Sequence, residues 1–156
     1  MKILGIDPGS VRVGYGLIKK EGNDLKFLKA GILKIKSADK NQRLVELEKS
    51  FLEIIKKEKP DLAVLERLYF FKNHKTAIEV SQSRGVLTLL IVKNKISLLE
   101  LTPLEIKKGI TNHGFSDKKT VAGIVVKILK INGEKLIDDA SDALAAAIVG
   151  SSIKIK

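Results

Sequence analysis

Apolar and turn-forming residues alternate in short blocks over the first 35 positions of the chain. The apolar blocks cover about 2–7, 13–20 and 25–35. They are separated by Pro8-Gly9 and by Glu21-Gly22-Asn23-Asp24, which are residue types that form tight turns. Short apolar blocks joined by tight turns predict an antiparallel meander of three strands.

The spacing of the apolar positions changes after the meander. From Asn41 to Lys57 they recur every three or four residues, which predicts an amphipathic helix that ends before Pro60. The apolar run 62–66 then predicts a buried strand. A second helix is predicted over about 74–93, and its small residues allow close contact with another helix, either within this chain or in a second copy.

The rest of the chain predicts one more strand and three helices. Residues 96–101 form the strand, and Thr102-Pro103-Leu104-Glu105 is a capping box with Pro at the first helical position. We expect Ser116 to cap the next helix and Asn132-Gly133 to end it. The last helix is expected from about Ile137 to Val149.

This order of elements predicts an α/β fold with a mixed five-stranded sheet flanked by helices, in which a three-strand antiparallel meander is joined by two parallel strands. The length of 156 residues fits one domain over 1–156. The first strand ends in Asp7, and the strand after the first long helix ends in Glu66. Open sheets bind ligands beyond the carboxyl ends of such strands, so both carboxylates are candidates for a functional site.

A third acidic feature lies at the start of the last helix. Asp139 and Asp142 are three residues apart and therefore project from one face of that helix. Acids in a first helical turn also complement the helix dipole, which is sufficient to explain Asp138 and Asp139. It does not explain Asp142, because the helix there is apolar on nearly every side and a charge needs a cation beside it. Asp7 likewise either caps its turn or faces a cation.

Asp7, Glu66, Asp139 and Asp142 would repel one another without counter-ions. Two divalent ions would neutralise them and create the arrangement that cleaves phosphodiester bonds. The chain has no Cys, which excludes disulfides, thiolate metal sites and a Cys nucleophile. Mg²⁺ is the favoured ion because it prefers carboxylate and water oxygens.

Composition adds a formal net charge of +11, which attracts polyanions such as nucleic acid or an acidic membrane surface. Enrichment in Lys, Glu and Ile also fits a hot or AT-rich source organism, and composition does not separate the two explanations. No apolar run is long enough to cross a bilayer, and the first residues lack the pattern of a secretion signal. We therefore expect a cytoplasmic protein that does not bind membranes.

Aromatic and basic residues are concentrated in the segment from Glu66 to Lys75. Stacking of bases on aromatic rings and phosphate contacts by basic side chains are common means of holding DNA. The candidate DNA-binding residues of this segment are Arg67, Tyr69, Phe70, Lys72, Asn73 and Lys75. At least one of its three consecutive aromatics is expected to pack under a loop instead.

Two pairs of lysines flank the predicted turn at Gly114, namely Lys107 with Lys108 and Lys118 with Lys119. They are candidates for phosphate contacts, and the alternative is a solvated basic face. His74 and His113 could be ligands or proton shuttles, but a lone His in a polar loop is more often neither.

Taken together, these features resemble the RuvC family of Holliday-junction resolvases, which are metal-dependent endonucleases with an RNase H-like fold. The resemblance covers nearly the whole chain and rests on Gly5-Ile6-Asp7-Pro8-Gly9-Ser10, Gly14-Tyr15-Gly16, Pro60-Asp61 with Glu66, Ser83-Arg84-Gly85-Val86 and Asp139-Ala140-Ser141-Asp142-Ala143-Leu144-Ala145. It implies a homodimer in which each subunit nicks one of two symmetric strands of a four-way DNA junction, in recombination and repair. It also implies a branch-migration motor of the RuvA and RuvB type as partner.

The resemblance implies roles for individual residues. The family's catalytic, metal-binding carboxylates match Asp7, Glu66, Asp139 and Asp142. Lys107 and Lys118 match positions near the scissile phosphate, Tyr69 matches an aromatic that contacts bases near the junction centre, and Arg84 lies in a matching motif as a further DNA-binding candidate. The implied cofactor is two Mg²⁺ ions per subunit, with Mn²⁺ able to substitute.

The third acidic position of the family varies, and some members have His there. Asp138 and Asp139 compete for it in this chain, and the three-residue spacing to Asp142 favours Asp139.

Three other classes of protein share parts of this pattern. Actin-like and sugar-kinase ATPases open with a similar strand and turn, but they need two such domains and a second phosphate loop. RNase H-like nucleases that cut hybrids or other branched DNA share the same chemistry. A non-catalytic junction-binding protein would explain the charge and the aromatics, but not four acids facing DNA.

Overall fold

The computed structural model describes residues 1–68, 74–132 and 136–153 of the chain. The strands of this part are β1 (Lys2–Asp7), β2 (Arg12–Glu21), β3 (Asp24–Lys34), β4 (Leu62–Glu66) and β5 (Ser97–Leu101). The helices are α1 (Lys40–Glu58), α2 (His74–Lys93), α3 (Pro103–Thr111), α4 (Lys118–Leu129) and α5 (Asp138–Ser152).

The five strands form one mixed sheet in the order β3-β2-β1-β4-β5. The β1–β2 and β2–β3 pairs are antiparallel, and the β1–β4 and β4–β5 pairs are parallel. The predicted fold class is therefore confirmed, including the meander at one side of the sheet. In the β1–β4 register Ile6 lies opposite Leu65, so Asp7 and Glu66 follow side by side at the same edge.

The sheet is covered by helices on both faces, and each face has its own apolar core. Helices α1 and α2 supply residues such as Phe51 and Leu87 to one core, whereas α4 and α5 supply Val125 and Leu144 to the other. Because side chains alternate along a strand, every second strand position faces α5. Asp7 and Glu66 are at such positions.

Helix α5 packs directly on the middle of the sheet because β1 and β2 present glycines to it. A Cβ atom at Gly5 would overlap the carbonyl oxygen of Ala143, and one at Gly14 would overlap the carbonyl oxygen of Asp139. The absence of these two side chains allows backbone-to-backbone contact between helix and sheet. The N-terminal turns of α5 are thereby brought close to the end of β1.

Both ends of helix α4 differ from the sequence prediction. Helix α4 is capped by Asp117, whose carboxylate accepts the backbone N–H of Thr120 at 2.7 Å, and the hydroxyl of Ser116 instead donates to Thr111. Ser and Asp are similar caps, so the backbone conformation decides between neighbours. The helix ends at Leu129, before the predicted Asn132-Gly133 stop, because Lys130 adopts a left-handed conformation with φ 52°.

The capping box at the start of α3 is confirmed. The hydroxyl of Thr102 accepts the backbone N–H of Glu105, and the carboxylate of Glu105 accepts the backbone N–H of Thr102. This box fixes the turn between β5 and α3. Among the helices of the described ranges, none is long and apolar enough to cross a membrane.

Candidate active site

Three carboxylates meet at the carboxyl edge of the central strands. Asp7 ends β1, Glu66 ends β4, and Asp142 projects from the second turn of α5. They line one cavity of about 240 Å³ together with Lys107 of α3 and Lys118 of α4. The apolar side of this cavity is formed by Pro103, Ile106 and Val121.

The pKa values of the two strand-end carboxyls are strongly raised. Burial raises the pKa of Asp7 to about 8, with further contributions from the negative charges of Glu66, Asp142 and Asp139. Burial and the charge of Asp142 raise the pKa of Glu66 to about 7. Both raised pKa values indicate that the two carboxyl groups lie close to other negative charges, at a place that water solvates poorly.

Two cations of the chain partly neutralise this charge. The ammonium group of Lys118 donates to Asp142 Oδ2 at 2.7 Å, and this hydrogen bond raises the pKa of Lys118. Arg12, at the start of β2, places its Nη2 2.8 Å from Oδ2 of Asp139. Asp139 thereby turns into a neighbouring recess that it shares with Arg12 and Asp138.

Asp138 and Asp139 occupy different environments although they are adjacent. Asp139 is half-buried and is close enough to raise the pKa of Asp7. Asp138 is exposed and helps to raise the pKa of Lys118. Neither residue caps α5 through its side chain, since Ile137 is the N-cap and makes no side-chain hydrogen bond. A side-chain cap therefore does not explain either acid, although both lie in the first turn, where their charges complement the helix dipole as the sequence predicted.

The side chains of this site suit a hard divalent cation. Carboxylate oxygens are the ligands that such an ion prefers, and the ion would reduce the repulsion among Asp7, Glu66, Asp139 and Asp142. Within the described ranges, however, no three acidic or histidine side chains are arranged around a common point as metal ligands. Asp139 is paired with Arg12 and Asp142 with Lys118, each through its Oδ2 atom. A shared metal ion would compete with Arg12 and Lys118 for these two carboxylates.

The predicted basic residues separate into two groups. Lys107 and Lys118 line the cavity, whereas Lys108 and Lys119 are exposed and do not line it. His113 is exposed in the loop after α3 and is also outside the cavity.

The DNA-binding candidates after β4 are only partly covered by the structure. Tyr69, Phe70, Lys72 and Asn73 lie outside the described residues. Arg67 follows β4 directly, and Lys75 belongs to the first turn of α2.

Arg67 and Arg84 share one partner that the sequence analysis did not identify. Glu100 of β5 accepts a hydrogen bond from Nη2 of Arg84, and its second oxygen lies 3.7 Å from Nε of Arg67. A single acid within the apolar strand Ser97–Leu101 was the available signal for this residue. Arg12 carries no such local signal, because its contact depends on how α5 lies on the sheet.

Comparison with known proteins identifies the family to which the chain belongs. The sequence profile of the family described as "Crossover junction endodeoxyribonuclease RuvC" matches residues 3–150. A crossover junction endodeoxyribonuclease RuvC from Petrotoga mobilis is 39% identical over 148 residues, which cover 94% of this chain and 91% of the relative. The chain belongs to the RuvC family. It is thus a member of a family of crossover junction endodeoxyribonucleases.

Solved RuvC structures share the fold. Thermus thermophilus RuvC superposes with a TM-score of 0.87 at 24% identity, covering 97% of this chain and 93% of that chain. A T. thermophilus RuvC in complex with Holliday junction substrate superposes with a TM-score of 0.85 at 22% identity, with the same coverage. The RNase H-like architecture predicted from the resemblance is therefore present over nearly the full length.

Proposed function

We propose that this chain is one subunit of a homodimeric, Mg²⁺-dependent endonuclease that resolves four-way DNA junctions by paired symmetric nicks. The observation that carries the proposal is the convergence of Asp7, Glu66 and Asp142 in one cavity with Lys107 and Lys118. Acids and lysines together suit a phosphodiester substrate, because the acids attract cations and the lysines attract phosphate. The nuclease domain would comprise residues 1–156 and act in the cytoplasm.

The acidic residues would hold two Mg²⁺ ions, with Mn²⁺ able to substitute. Asp7, Glu66 and Asp142 already line the cavity, and Asp139 would join them after leaving Arg12. Bound divalent ions supply an activated water and stabilise the leaving oxygen in such reactions. Hydrolysis adds the water oxygen to phosphorus and breaks the P–O3′ bond, leaving a 5′-phosphate and a 3′-hydroxyl.

The two lysines of the cavity act on the phosphate. Lys107 and Lys118 are contributed by α3 and α4, and their positive charges lower the pKa of Glu66 relative to burial alone. Their ammonium groups would bind phosphate oxygens and stabilise the negative charge that develops during cleavage. Lys108 and Lys119, exposed at the same helices, would contact more distant phosphates.

Paired nicks need two active sites, and the described part of this chain contains one cavity of this kind. Helix α2 offers a surface for a second copy: Ile78, Leu89 and Val92 are 71%, 56% and 59% exposed. Together with Gln82 and Gly85, which are also exposed, these positions are spaced by three and four residues along one helical face. We call this surface the α2 stripe, and its spacing is that of helix pairs that pack side by side.

DNA would lie across the carboxyl edge of the sheet, where the cavity, Arg67 and Lys75 are found. Tyr69 and Phe70 would stack on bases, and Lys72 and Asn73 would contact the backbone, as predicted from the sequence. The partnership with a branch-migration motor of the RuvA and RuvB type also stays a prediction.

A cleavage assay on three substrates tests the proposal. Purified protein is incubated with a synthetic four-way junction, a linear duplex of the same sequence and an RNA–DNA hybrid, with Mg²⁺ or with EDTA at one stated salt concentration. We expect symmetric nicks in the junction when Mg²⁺ is present and no nicks in EDTA. Preferential cleavage of the hybrid would identify another RNase H-like activity, and junction binding without cleavage in Mg²⁺ would identify a non-catalytic protein.

A further inference from the structure

A charged cluster lies beside the catalytic cavity on the other face of the sheet. It consists of Arg67, which follows β4, Arg84 of α2 and Glu100 of β5. These three side chains border a recess of about 280 Å³, together with Leu68 and Ser81. Among the described residues, Glu100 is the only acid that borders this recess, and it connects the two arginines.

Strand alternation explains why the cluster and the cavity face in opposite directions. Glu66 faces α5, so the next residue, Arg67, projects toward α2. Glu100 follows Leu98, which packs in the α1 and α2 core, and therefore also projects toward α2. The backbone N–H of Arg67 donates to the carbonyl of Leu101 at 2.7 Å, so its main chain is held in the ladder next to Glu100.

Arg84 anchors Glu100 rather than facing solvent. Its side chain is 25% exposed, its Nη2 donates to Oε1 of Glu100, and its buried Nε has no hydrogen-bond partner among the described residues. A guanidinium that is held in this way has little freedom to reach a phosphate. Arg67, by contrast, is 55% exposed.

Arg67 is therefore the member of the cluster that DNA can reach. Its Nε faces Oε2 of Glu100, and a guanidinium has four further N–H donors. Its charge also helps to lower the pKa of Glu105, after the larger effect of the hydrogen bonds with Thr102. The ion pair with Glu100 thus restricts the side chain of Arg67 before any DNA binds. Restricting an Arg side chain in advance reduces the entropy that binding would otherwise remove.

We propose that Glu100 is a positioning residue that orients Arg67 toward a junction phosphate on the α2 side of the cut. This inference rests on the proposed function, because it takes the cavity at Glu66 as the place of cleavage and the α2 stripe as the dimer interface. A phosphate on that side lies toward the second subunit, and hence toward the crossover of the junction. Arg84 is assigned to Glu100 instead of to the DNA contact predicted from the sequence.

A double-mutant cycle tests the proposal. Junction affinity is measured in EDTA for the full chain, for Glu100→Gln, for Arg67→Ala and for the double variant. We expect Glu100→Gln to weaken junction binding about fivefold, and to have almost no effect when Arg67 is already Ala. In Glu100→Gln the affinity for a linear duplex should change less than the affinity for the junction. The single-turnover cleavage rate of this variant, at saturating protein in Mg²⁺, should be unchanged.

A purely electrostatic effect of removing an acid would tighten DNA binding instead of weakening it, and a control variant measures that effect. Removing an acid from a DNA-binding protein raises its positive field, so Glu53→Gln on the exposed side of α1 should leave binding unchanged or slightly tighter. Tighter junction binding by Glu100→Gln would overturn the proposal. Equal weakening in the Arg67→Ala background would overturn it as well, because Glu100 would then not act through Arg67.

Folding is followed by thermal unfolding, because Glu100→Gln leaves Arg84 without a counter-charge. If that variant unfolds, the pair Arg84→Gln with Glu100→Gln removes both charges and should show the same weakening. The cycle measures binding without metal, so it stays informative even if the wild-type chain does not cut the junction. Absence of cutting by the wild type would count against the proposed function and not against the role of Glu100.

Discussion

The ammonium group of Lys118 donates a hydrogen bond of 2.7 Å to Oδ2 of Asp142. A residue expected to bind phosphate and a residue expected to bind metal are therefore each other's partners in this structure. Arg12 and Asp139 form a second pair of the same kind at 2.8 Å. The chain's own cations thus compensate part of the negative charge of the site, and metal ions shared by the four carboxylates would compete with both pairs.

The first prediction concerns Asp142→Asn. The amide keeps the volume and can still accept from Lys118, but it loses the negative charge that a divalent ion requires. We expect the rate of junction cleavage in Mg²⁺ to fall by more than about 100-fold, with junction affinity in EDTA retained. Full cleavage by Asp142→Asn, measured under single-turnover conditions, would exclude this residue as a metal ligand.

A second prediction separates Asp138 from Asp139. Asp139 is close enough to act on the pKa of Asp7, whereas Asp138 is exposed. We expect Asp139→Asn to lower the cleavage rate by more than about 10-fold, and Asp138→Asn to change it by less than about threefold. The matched pair is compared at several Mg²⁺ concentrations. The reverse order of effects would assign the third acidic position to Asp138.

The third prediction is a pH dependence of stability in the metal-free protein. The pKa of Asp7 is raised to about 8 in the folded chain, so the folded state binds a proton that the unfolded state releases near pH 4. Its contribution to stability is complete below about pH 4 and is lost as the pH rises through about 8. We therefore expect the melting temperature in EDTA to fall over this range.

Asp7→Asn should abolish much of that fall, raising the free energy of unfolding in EDTA at pH 8 by about 2 kcal/mol. Asp24→Asn, at an exposed position of the β2–β3 hairpin, is the control and should leave the profile unchanged. Saturating Mg²⁺ should stabilise the wild type more than Asp7→Asn at pH 8, because only the wild type has the complete site. A pH profile identical in wild type and Asp7→Asn would contradict the buried charge.

The fourth prediction concerns the contact between β2 and α5. A Cβ at Gly14 would overlap the backbone of Asp139, so Gly14→Ala must push the start of α5 off the sheet. We expect a loss of about 1–3 kcal/mol in chemical unfolding, with a loss of cleavage that persists at temperatures where the variant is folded. Gly123→Ala is the control, since its Cβ would meet no atom within 4 Å, and it should stabilise α4 by about 0.5–1 kcal/mol.

The fifth prediction tests the α2 stripe. We expect the wild type to be a dimer and Leu89→Glu to be a monomer in light scattering, because Leu89→Glu places a charge in the proposed interface between two copies. Ile128→Glu adds the same charge to α4, on the opposite side of the sheet, and should leave the dimer intact. A plasmid cruciform reports the consequence. Paired nicks give linear plasmid, and we expect Leu89→Glu to give slow nicked circles instead, whereas an unchanged linear product would show that α2 is not the interface.

The fold was largely predictable because its signals are local. Alternation, turn residues and the three-to-four spacing of apolar positions place the elements within a few residues of their observed bounds. The errors are at helix ends, where Asp117 rather than Ser116 is the cap of α4 and Lys130 ends it. Neighbouring residues with similar capping chemistry are separated only by the backbone conformation that the packed helix imposes.

In the candidate site, too, some relations between residues are local in the sequence and others depend on the tertiary structure. The sequence by itself determined that Asp7 and Glu66 end buried strands and that Asp139 and Asp142 share a helical face, because these relations follow from strand and helix periodicity. Only the tertiary structure decided that Arg12 binds Asp139, that Lys118 binds Asp142 and that Glu100 holds two arginines. Those contacts join residues far apart in the chain. The pairs of Arg12 and Lys118 depend on how closely the glycines of β1 and β2 let α5 approach the sheet, and the contacts of Glu100 depend on how α2 packs on the opposite face, distances that no local pattern encodes.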